Sequence, residues 1–193
     1  MVNTPKKYND LLNTARELFW KHGFKRVSVE EICIKAGVSK MTYYKYFPNK
    51  TELAKTIFHN VTKEAENTLR EILRSDLKPM EKVKKMMLLK LERSNNISPE
   101  FLQDFYMSGE PELKAYVETR SKEAWEALKE DFKEAQQQGV FRKDLNTEFL
   151  IRVQYKLSEL VNDKTITDLF ESRQEMIMAF ANLIVYGIVQ HEE

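Results

Sequence analysis

Residues 28–53 of this 193-residue chain contain two short helical patterns that meet at one glycine. The first pattern ends at Ala36-Gly37, and the second begins at Ser39 and stops at Pro48. Gly37 provides the backbone freedom that a sharp turn between two helices needs, and Ser39 is a favourable N-cap for the second helix. The spacing predicts a helix-turn-helix, followed directly after Pro48 by a further helix.

The second helix of this pair has two different faces. Tyr43 and Phe47 fall on one side of the helical wheel, where they can pack against the preceding helices. The other side is predicted to point outward and carries Lys40, Met41, Thr42, Tyr44 and Lys45. A helix with one buried and one polar, aromatic face fits the major groove of DNA, which is about 12 Å wide. These five side chains are therefore our first candidates for contacts with DNA.

Further residues of this region suit the phosphates of the DNA backbone. Ser28 and Ser39 lie at helix N-termini, where free backbone N–H groups favour anions, and Lys6 and Lys50 add cations. Residues 1–50 contain ten Lys or Arg against four Asp or Glu, whereas the remaining residues contain 21 against 26. A basic first part joined to an acidic remainder fits a protein that binds a polyanion at one end only. The alternative is a chance distribution of charge over solvated faces.

The rest of the chain predicts an all-α protein. Gly and Pro number five each, helical periodicity recurs almost throughout, and no strand pattern exceeds a few residues. We predict nine helices in two parts. Residues 1–50 form a helix-turn-helix DNA-binding domain, and residues 51–193 form a larger helical domain for effector binding and dimerisation.

Five short motifs between Thr14 and Leu53 together resemble the DNA-binding domain of the TetR family of bacterial transcriptional regulators. They are Ala15-x-x-Leu-Phe closing on Gly23-Phe24, Ser28-Val-Glu-Glu-Ile, Ala36-Gly-Val-Ser-Lys, Thr42-Tyr-Tyr-x-Tyr-Phe and Asn49-Lys-Thr-Glu-Leu. The length and the helix count of the chain also suit that family. The remaining residues, about 140, match none of its motifs.

The resemblance assigns roles to individual residues. It implies that Lys40, Met41, Thr42 and Tyr44 face bases and phosphates. It also implies that Tyr46 and Lys50 hold the DNA backbone. Met41 stands where a small residue or Pro is usual, and Tyr46 where His is frequent, which leaves the base preference open but not the mode of binding. Family members usually repress transcription and release DNA when a ligand binds.

The last two predicted helices carry apolar stripes suited to pairing with a second subunit. The candidate interface residues are Leu150, Val153, Leu157, Leu160, Ile177, Phe180, Ile184 and Ile188. A helix that is apolar on most sides must be buried on most sides, and a homodimer would also place two reading helices on a palindromic operator. The alternative is that the subunit's own helices cover this surface. The resemblance implies a four-helix dimer interface.

The middle of the chain is rich in Met and aromatic side chains. These residues predict either an ordinary core or a pocket for a small, largely apolar effector. The candidates are His59, Met86, Met87, Phe101, Phe105, Tyr106, Trp125 and Phe132.

Other function classes find little support in the sequence. There is no Gly-rich phosphate loop, no pair of histidines at metal-binding spacing and no Cys/His or Ser/His constellation, so we expect no enzyme, cofactor or metal. A single cysteine and no recognisable signal sequence favour the cytoplasm. The most apolar stretch, 176–189, is shorter than the roughly 20 residues of a membrane span. The remaining alternative is a helical protein–protein module that uses the helix-turn-helix shape without binding DNA.

Overall fold

The computed structural model describes residues 6–94, 97–107, 110–160 and 163–188. Within these ranges the chain forms ten α-helices and one π-helical turn. The helices are α1 (Lys6–His22), α2 (Val29–Ala36), α3 (Lys40–Tyr46), α4 (Lys50–Arg74), α5 (Pro79–Ser94), α6 (Pro99–Leu102), α7 (Pro111–Gln137), α8 (Thr147–Leu160), α9 (Lys164–Thr167) and α10 (Arg173–Ile188), and the π turn covers Gln103–Met107. The prediction of an all-α chain is confirmed.

Nine helices were predicted, and the described residues contain ten. The helix that begins at Pro99 continues as a π turn from Gln103. The additional helix is the short α9, whose N-cap Asp163 accepts hydrogen bonds from the backbone N–H and the hydroxyl of Thr165. Short capped turns of this kind have no hydrophobic period, so periodicity alone does not find them.

The chain divides into two compact units. Unit 1 comprises residues 1–63 and 96–122, and unit 2 comprises residues 64–95 and 123–193. Helices α4 and α7 each contribute residues to both units. The division therefore falls inside two helices, and the functional boundary at residue 50 stays a prediction.

Local capping explains how unit 1 makes its sharp helix-turn-helix. The hydroxyl oxygen of Ser28 accepts a hydrogen bond from the backbone N–H of Glu31 at 3.1 Å, and that of Ser39 accepts one from Thr42 at 3.2 Å. Gly37 lies between them with φ 64°, in the left-handed region that ends many helices. The backbone N–H of Val38 donates to the carbonyl of Cys33 at 2.9 Å, which closes the turn.

The core of unit 1 is aromatic at its centre. Phe105 of the π turn stacks on Phe101 with ring centroids 4.3 Å apart, and it also contacts Phe19, Phe24 and Phe58. These rings share one cluster with the buried aliphatic side chains of α1, α2, α4 and α7. Helices beyond residue 96 thus complete the core of unit 1.

Unit 2 has a separate core. Its buried cluster combines Leu73, Val83 and Phe141 with side chains from α5, α7, α8 and α10. Phe141 stacks on Phe132 with ring centroids 5.5 Å apart, and α10 packs against α5. No helix among the described residues is both long and apolar enough to cross a membrane.

Candidate nucleic-acid interface

Helix α3 is fixed from its inner side. Tyr43 is fully buried, and its hydroxyl donates a hydrogen bond to the backbone carbonyl of Asn49 at 3.2 Å. Burial raises the pKa of the Tyr43 hydroxyl above its ordinary value, which keeps it protonated as a donor. Phe47 is also buried and stacks on Tyr8 of α1. The orientation of α3 is therefore set by two aromatic anchors.

The opposite side of α3 faces outward, as the helical wheel predicted. Met41 is 72% exposed and Tyr44 is 55% exposed, and Lys40 and Lys45 are exposed as well. Thr42 is half-buried, and its hydroxyl shares a 3.0 Å hydrogen bond with the hydroxyl of Ser39. The structure thus groups four of the five predicted α3 side chains on one accessible face.

The remaining candidates lie in more varied settings. Ser28 and Ser39 are exposed, and both use their hydroxyl oxygens as caps. Lys6 is exposed at the start of α1, whereas Tyr46 is half-buried with its ring 5.5 Å from that of Tyr8 in an edge-on arrangement. Tyr46 therefore has a packing role in addition to the predicted role at the DNA backbone.

Lys50 points into unit 1. Its ammonium donates to the carbonyls of Phe24 at 2.7 Å and Val27 at 2.8 Å, and it lies 4.3 Å from the centre of the Phe24 ring. Burial lowers the pKa of Lys50, while the nearby carboxylates of Asp104 and Glu110 act in the opposite direction. Two of its three N–H groups hold the turn before α2. The phosphate contact that the resemblance implies stays a prediction for Lys50.

Two features of α2 were missed by the sequence analysis. Ile34 is 75% exposed, although its apolar neighbours Ile32 and Cys33 are buried. Glu30, one helical turn before Ile34, forms an ion pair with Lys40, with 3.2 Å between the ammonium nitrogen and a carboxylate oxygen. Because Glu30 and Ile34 are four residues apart, they lie on the same face of α2. This spacing could have indicated from the sequence that Ile34 shares the exposed face of Glu30.

The eight predicted effector residues do not share one cluster. Phe101 and Phe105 belong to the core of unit 1. Met86, Met87 and Phe132 belong to the core of unit 2, with Trp125 packed against it. Tyr106 and His59 are exposed. Most of these side chains are core residues, which is the alternative that the sequence left open.

A polar cleft of about 360 Å³ lies within unit 1. Its lining consists of His22, Lys25, Arg26, Pro99, Glu100, Gln103 and Asp104. The buried carboxylate of Asp104 accepts a hydrogen bond from the backbone N–H of Lys25 at 2.8 Å. A guanidinium nitrogen of Arg26 forms an ion pair with a carboxylate oxygen of Glu100 at 3.6 Å. The walls of this cleft are charged, and none of the eight effector candidates is among the residues that line it.

The eight residues predicted to pair with a second subunit lie in different settings on α8 and α10. Leu150 and Ile184 are buried in the core of unit 2 itself, and Val153, Ile177 and Phe180 are half-buried. Leu160 is exposed, and the side chains of Leu157 and Ile188 lie outside the part of the chain that the structure describes. Among the described side chains of α8 and α10, the most exposed large apolar ones are Phe149, Leu183 and Tyr186, at 64%, 68% and 70%. We call these three residues the outer face of unit 2.

The fold and this surface define the class of protein: an all-helical chain with an N-terminal helix-turn-helix whose second helix presents an exposed basic and aromatic face. Residues 11–57 match the sequence model of the bacterial regulatory proteins of the tetR family. The Transposon Tn10 TetC protein of Escherichia coli is 43% identical over 51 residues, which are 26% of this chain and 26% of that protein. In this N-terminal segment, the chain is therefore similar in sequence to regulatory proteins of the tetR family.

Solved structures extend the likeness to the whole fold. The fatty acid degradation regulator FadR from Bacillus halodurans has a TM-score of 0.73 and 20% identity, covering 98% of this chain and 100% of that chain. The regulator FadR from Bacillus subtilis, solved in complex with stearoyl-CoA, has a TM-score of 0.68 and 18% identity, covering 94% and 99%. At these identities the likeness concerns the fold.

Proposed function

We propose that this protein is a transcriptional regulator, most simply a repressor, that binds a palindromic DNA operator as a homodimer. The observation that carries the proposal is the outward face of α3, where Met41 and Tyr44 are exposed next to two lysines. Large apolar side chains are costly to leave in water. Their exposure at the tip of a helix-turn-helix is explained if they enter the major groove.

Each residue of this face has a chemical counterpart in DNA. Lys40 and Lys45 can donate to phosphates or to the guanine edge, and Met41 can contact the methyl group of thymine. Tyr44 offers both a ring and a hydroxyl group. Because Tyr43 and Phe47 anchor the helix from behind, these groups are held in place before DNA arrives.

The homodimer is supported by the outer face of unit 2. Phe149 lies on α8, and Leu183 and Tyr186 lie one turn apart on α10, next to the small residue Gly187. Exposed apolar side chains that lie close together often mark an interaction surface, and the three- and four-residue spacing rule places Leu183 and Tyr186 on one face of α10. A symmetric pair would place two copies of α3 on two half-sites, which is how helix-turn-helix dimers read palindromic DNA.

The proposed effector is a small, largely apolar molecule that releases the DNA. The proposal is supported by the shared fold with a regulator that was solved with stearoyl-CoA bound. Helix α4 contributes to both units, so a ligand that tilts α4 would change the separation of the two copies of α3. A ligand that prefers the DNA-incompetent arrangement a hundredfold would shift the balance by about 2.7 kcal/mol.

The test begins with selection of bound sequences from a pool of random duplex DNA. We expect a palindromic sequence to be recovered, and we expect Tyr44→Ala to weaken binding to it at least tenfold. Leu88→Ala is the matched control, because Leu88 on α5 is 54% exposed, almost the same as Tyr44, but lies in unit 2. Wild-type affinity of Tyr44→Ala for the selected duplex would remove α3 as the reading helix.

Salt dependence separates this proposal from the alternative of a protein–protein module. A protein that neutralises several phosphates loses orders of magnitude in affinity for DNA between about 50 and 200 mM salt. An apolar protein interface changes little over the same range. Failure to bind any duplex at low ionic strength would leave the protein–protein module as the better explanation.

A further inference from the structure

The ion pair between Glu30 and Lys40 joins α2 to the first residue of the reading helix. Lys40 begins α3, and its ammonium lies 3.2 Å from a carboxylate oxygen of Glu30 in the first turn of α2. Both side chains are exposed. The Lys40 ammonium is therefore already paired with an anionic group of the protein itself.

Glu30 has a neighbour that carries the same charge in a different position. Glu31 also lies in the first turn of α2 and is exposed. Its backbone N–H donates to the Ser28 hydroxyl, but among the described contacts its carboxylate forms no ion pair with Lys40. The two glutamates therefore contribute the same net charge, and only one of them is bonded to the reading helix.

The Lys40 ammonium can either contact a DNA phosphate or stay paired with Glu30, and the two states have different consequences for DNA binding. A lysine that is free to contact phosphate strengthens binding to every sequence alike, because phosphate contacts carry no sequence information. A carboxylate at 3.2 Å competes with the phosphate for the same ammonium. A phosphate that approaches Lys40 also brings its negative charge close to the Glu30 carboxylate, whereas the O6 and N7 atoms of guanine are neutral acceptors and are not repelled in this way.

We propose that Glu30 is a specificity-determining residue, which holds Lys40 away from phosphates and thereby weakens binding to non-cognate DNA. This inference rests on the proposed function, since it assigns a role within DNA recognition. Glu30 adds no contact to DNA. The protein would distinguish cognate from non-cognate DNA better because Glu30 weakens the complex with non-cognate DNA.

The experiment compares Glu30→Gln with Glu31→Gln in the full-length protein. Affinities are measured over a range of salt for the selected duplex and for a scrambled duplex of equal length. For Glu30→Gln we expect the scrambled duplex to bind about three to ten times more tightly, and its salt dependence to steepen by about 0.9, the value of one added phosphate contact. The selected duplex should gain less, so the ratio of the two affinities falls.

Two controls isolate the ion pair from the change in net charge. Glu31→Gln removes the same charge. It should change the salt dependence of binding, and the ratio of the affinities for the selected and scrambled duplexes, less than Glu30→Gln does. In a Lys40→Gln background, Glu30→Gln should have no more effect than Glu31→Gln, because the partner is gone. Equal slopes and equal ratios for Glu30→Gln and Glu31→Gln in the wild-type background would overturn the inference. Failure of the wild-type protein to bind either duplex would overturn the proposed function instead.

Discussion

The two units of this protein differ in how their apolar side chains are used. In unit 1 the large aromatic residues close on one another around Phe105, and the exposed apolar side chains Met41 and Tyr44 lie on a helix with lysines beside them. In unit 2 the core is mainly aliphatic, and Phe149, Leu183 and Tyr186 remain outside it. The difference indicates two kinds of partner. A basic and aromatic face suits DNA, whereas an apolar outer face suits a second protein surface.

The largest effects are expected from truncating the central ring of each core. Phe105→Ala and Phe141→Ala should each lower the free energy of unfolding by about 3–5 kcal/mol, because both side chains are fully buried. Urea denaturation would measure the loss. Amide hydrogen exchange would then separate the units, since Phe105→Ala should accelerate exchange in α1 and α2 more than Phe141→Ala does.

The control for Phe105→Ala and Phe141→Ala is the same substitution at an exposed phenylalanine. Phe149→Ala, on the outer face of unit 2, should change the free energy of unfolding of the isolated subunit by less than about 1 kcal/mol, because its ring is 64% exposed. If both core variants accelerated exchange equally in α1 and α2, the cores would not be separate, and the comparison between the units would be wrong.

The next largest effect concerns the outer face of unit 2. Leu183→Glu should weaken the homodimer at least a hundredfold, or about 2.7 kcal/mol, because a carboxylate would be buried in an apolar interface. Sedimentation equilibrium would measure the change. Gln174→Glu, an exposed position in the first turn of α10, introduces the same charge and should leave the dimer intact. A dimer that tolerates Leu183→Glu would show that α10 pairs through another face or not at all.

The comparison also shows where sequence reasoning succeeded. The orientation of α3 was predicted correctly, with Tyr43 inside and Tyr44 outside, because the helical period and the caps Ser28 and Ser39 act within a few residues. The helical period and the N-caps depend only on residues within the same short segment of sequence. The helix-turn-helix was therefore the most predictable part of the molecule.

Sequence reasoning failed where a position depends on distant residues. The ammonium of Lys50 turns inward because the carbonyls of Phe24 and Val27, more than twenty residues earlier, are in reach. Helix α10 is apolar on nearly all sides, so its pattern could not distinguish the buried Ile184 from the exposed Leu183. For Phe105 the sequence left core and pocket open, because its surroundings in the core come from α1 and α4. Each of these positions depends on tertiary packing that periodicity does not encode.

The smallest effect tests how tightly each unit is packed around a turn. Gly23 in unit 1 and Gly139 in unit 2 have nearly equal φ values, 80° and 77°, so replacement by Ala strains the backbone to the same extent, about 1–2 kcal/mol. A Cβ atom at Gly23 would lie 2.7 Å from a carboxylate oxygen of Asp104, whereas one at Gly139 would have no neighbour within 4 Å among the described residues.

Gly23→Ala should therefore cost about 1–3 kcal/mol more than Gly139→Ala, since overpacking adds to the backbone strain. Thermal or urea unfolding of the two variants provides the measurement. The double variant Gly23→Ala with Asp104→Ala is less informative than the simple pair, because Asp104 also accepts the hydrogen bond from the backbone N–H of Lys25. Equal losses in the two single variants would mean that the π turn does not close on the end of α1, and unit 1 would then be packed no more tightly there than unit 2 is at Gly139.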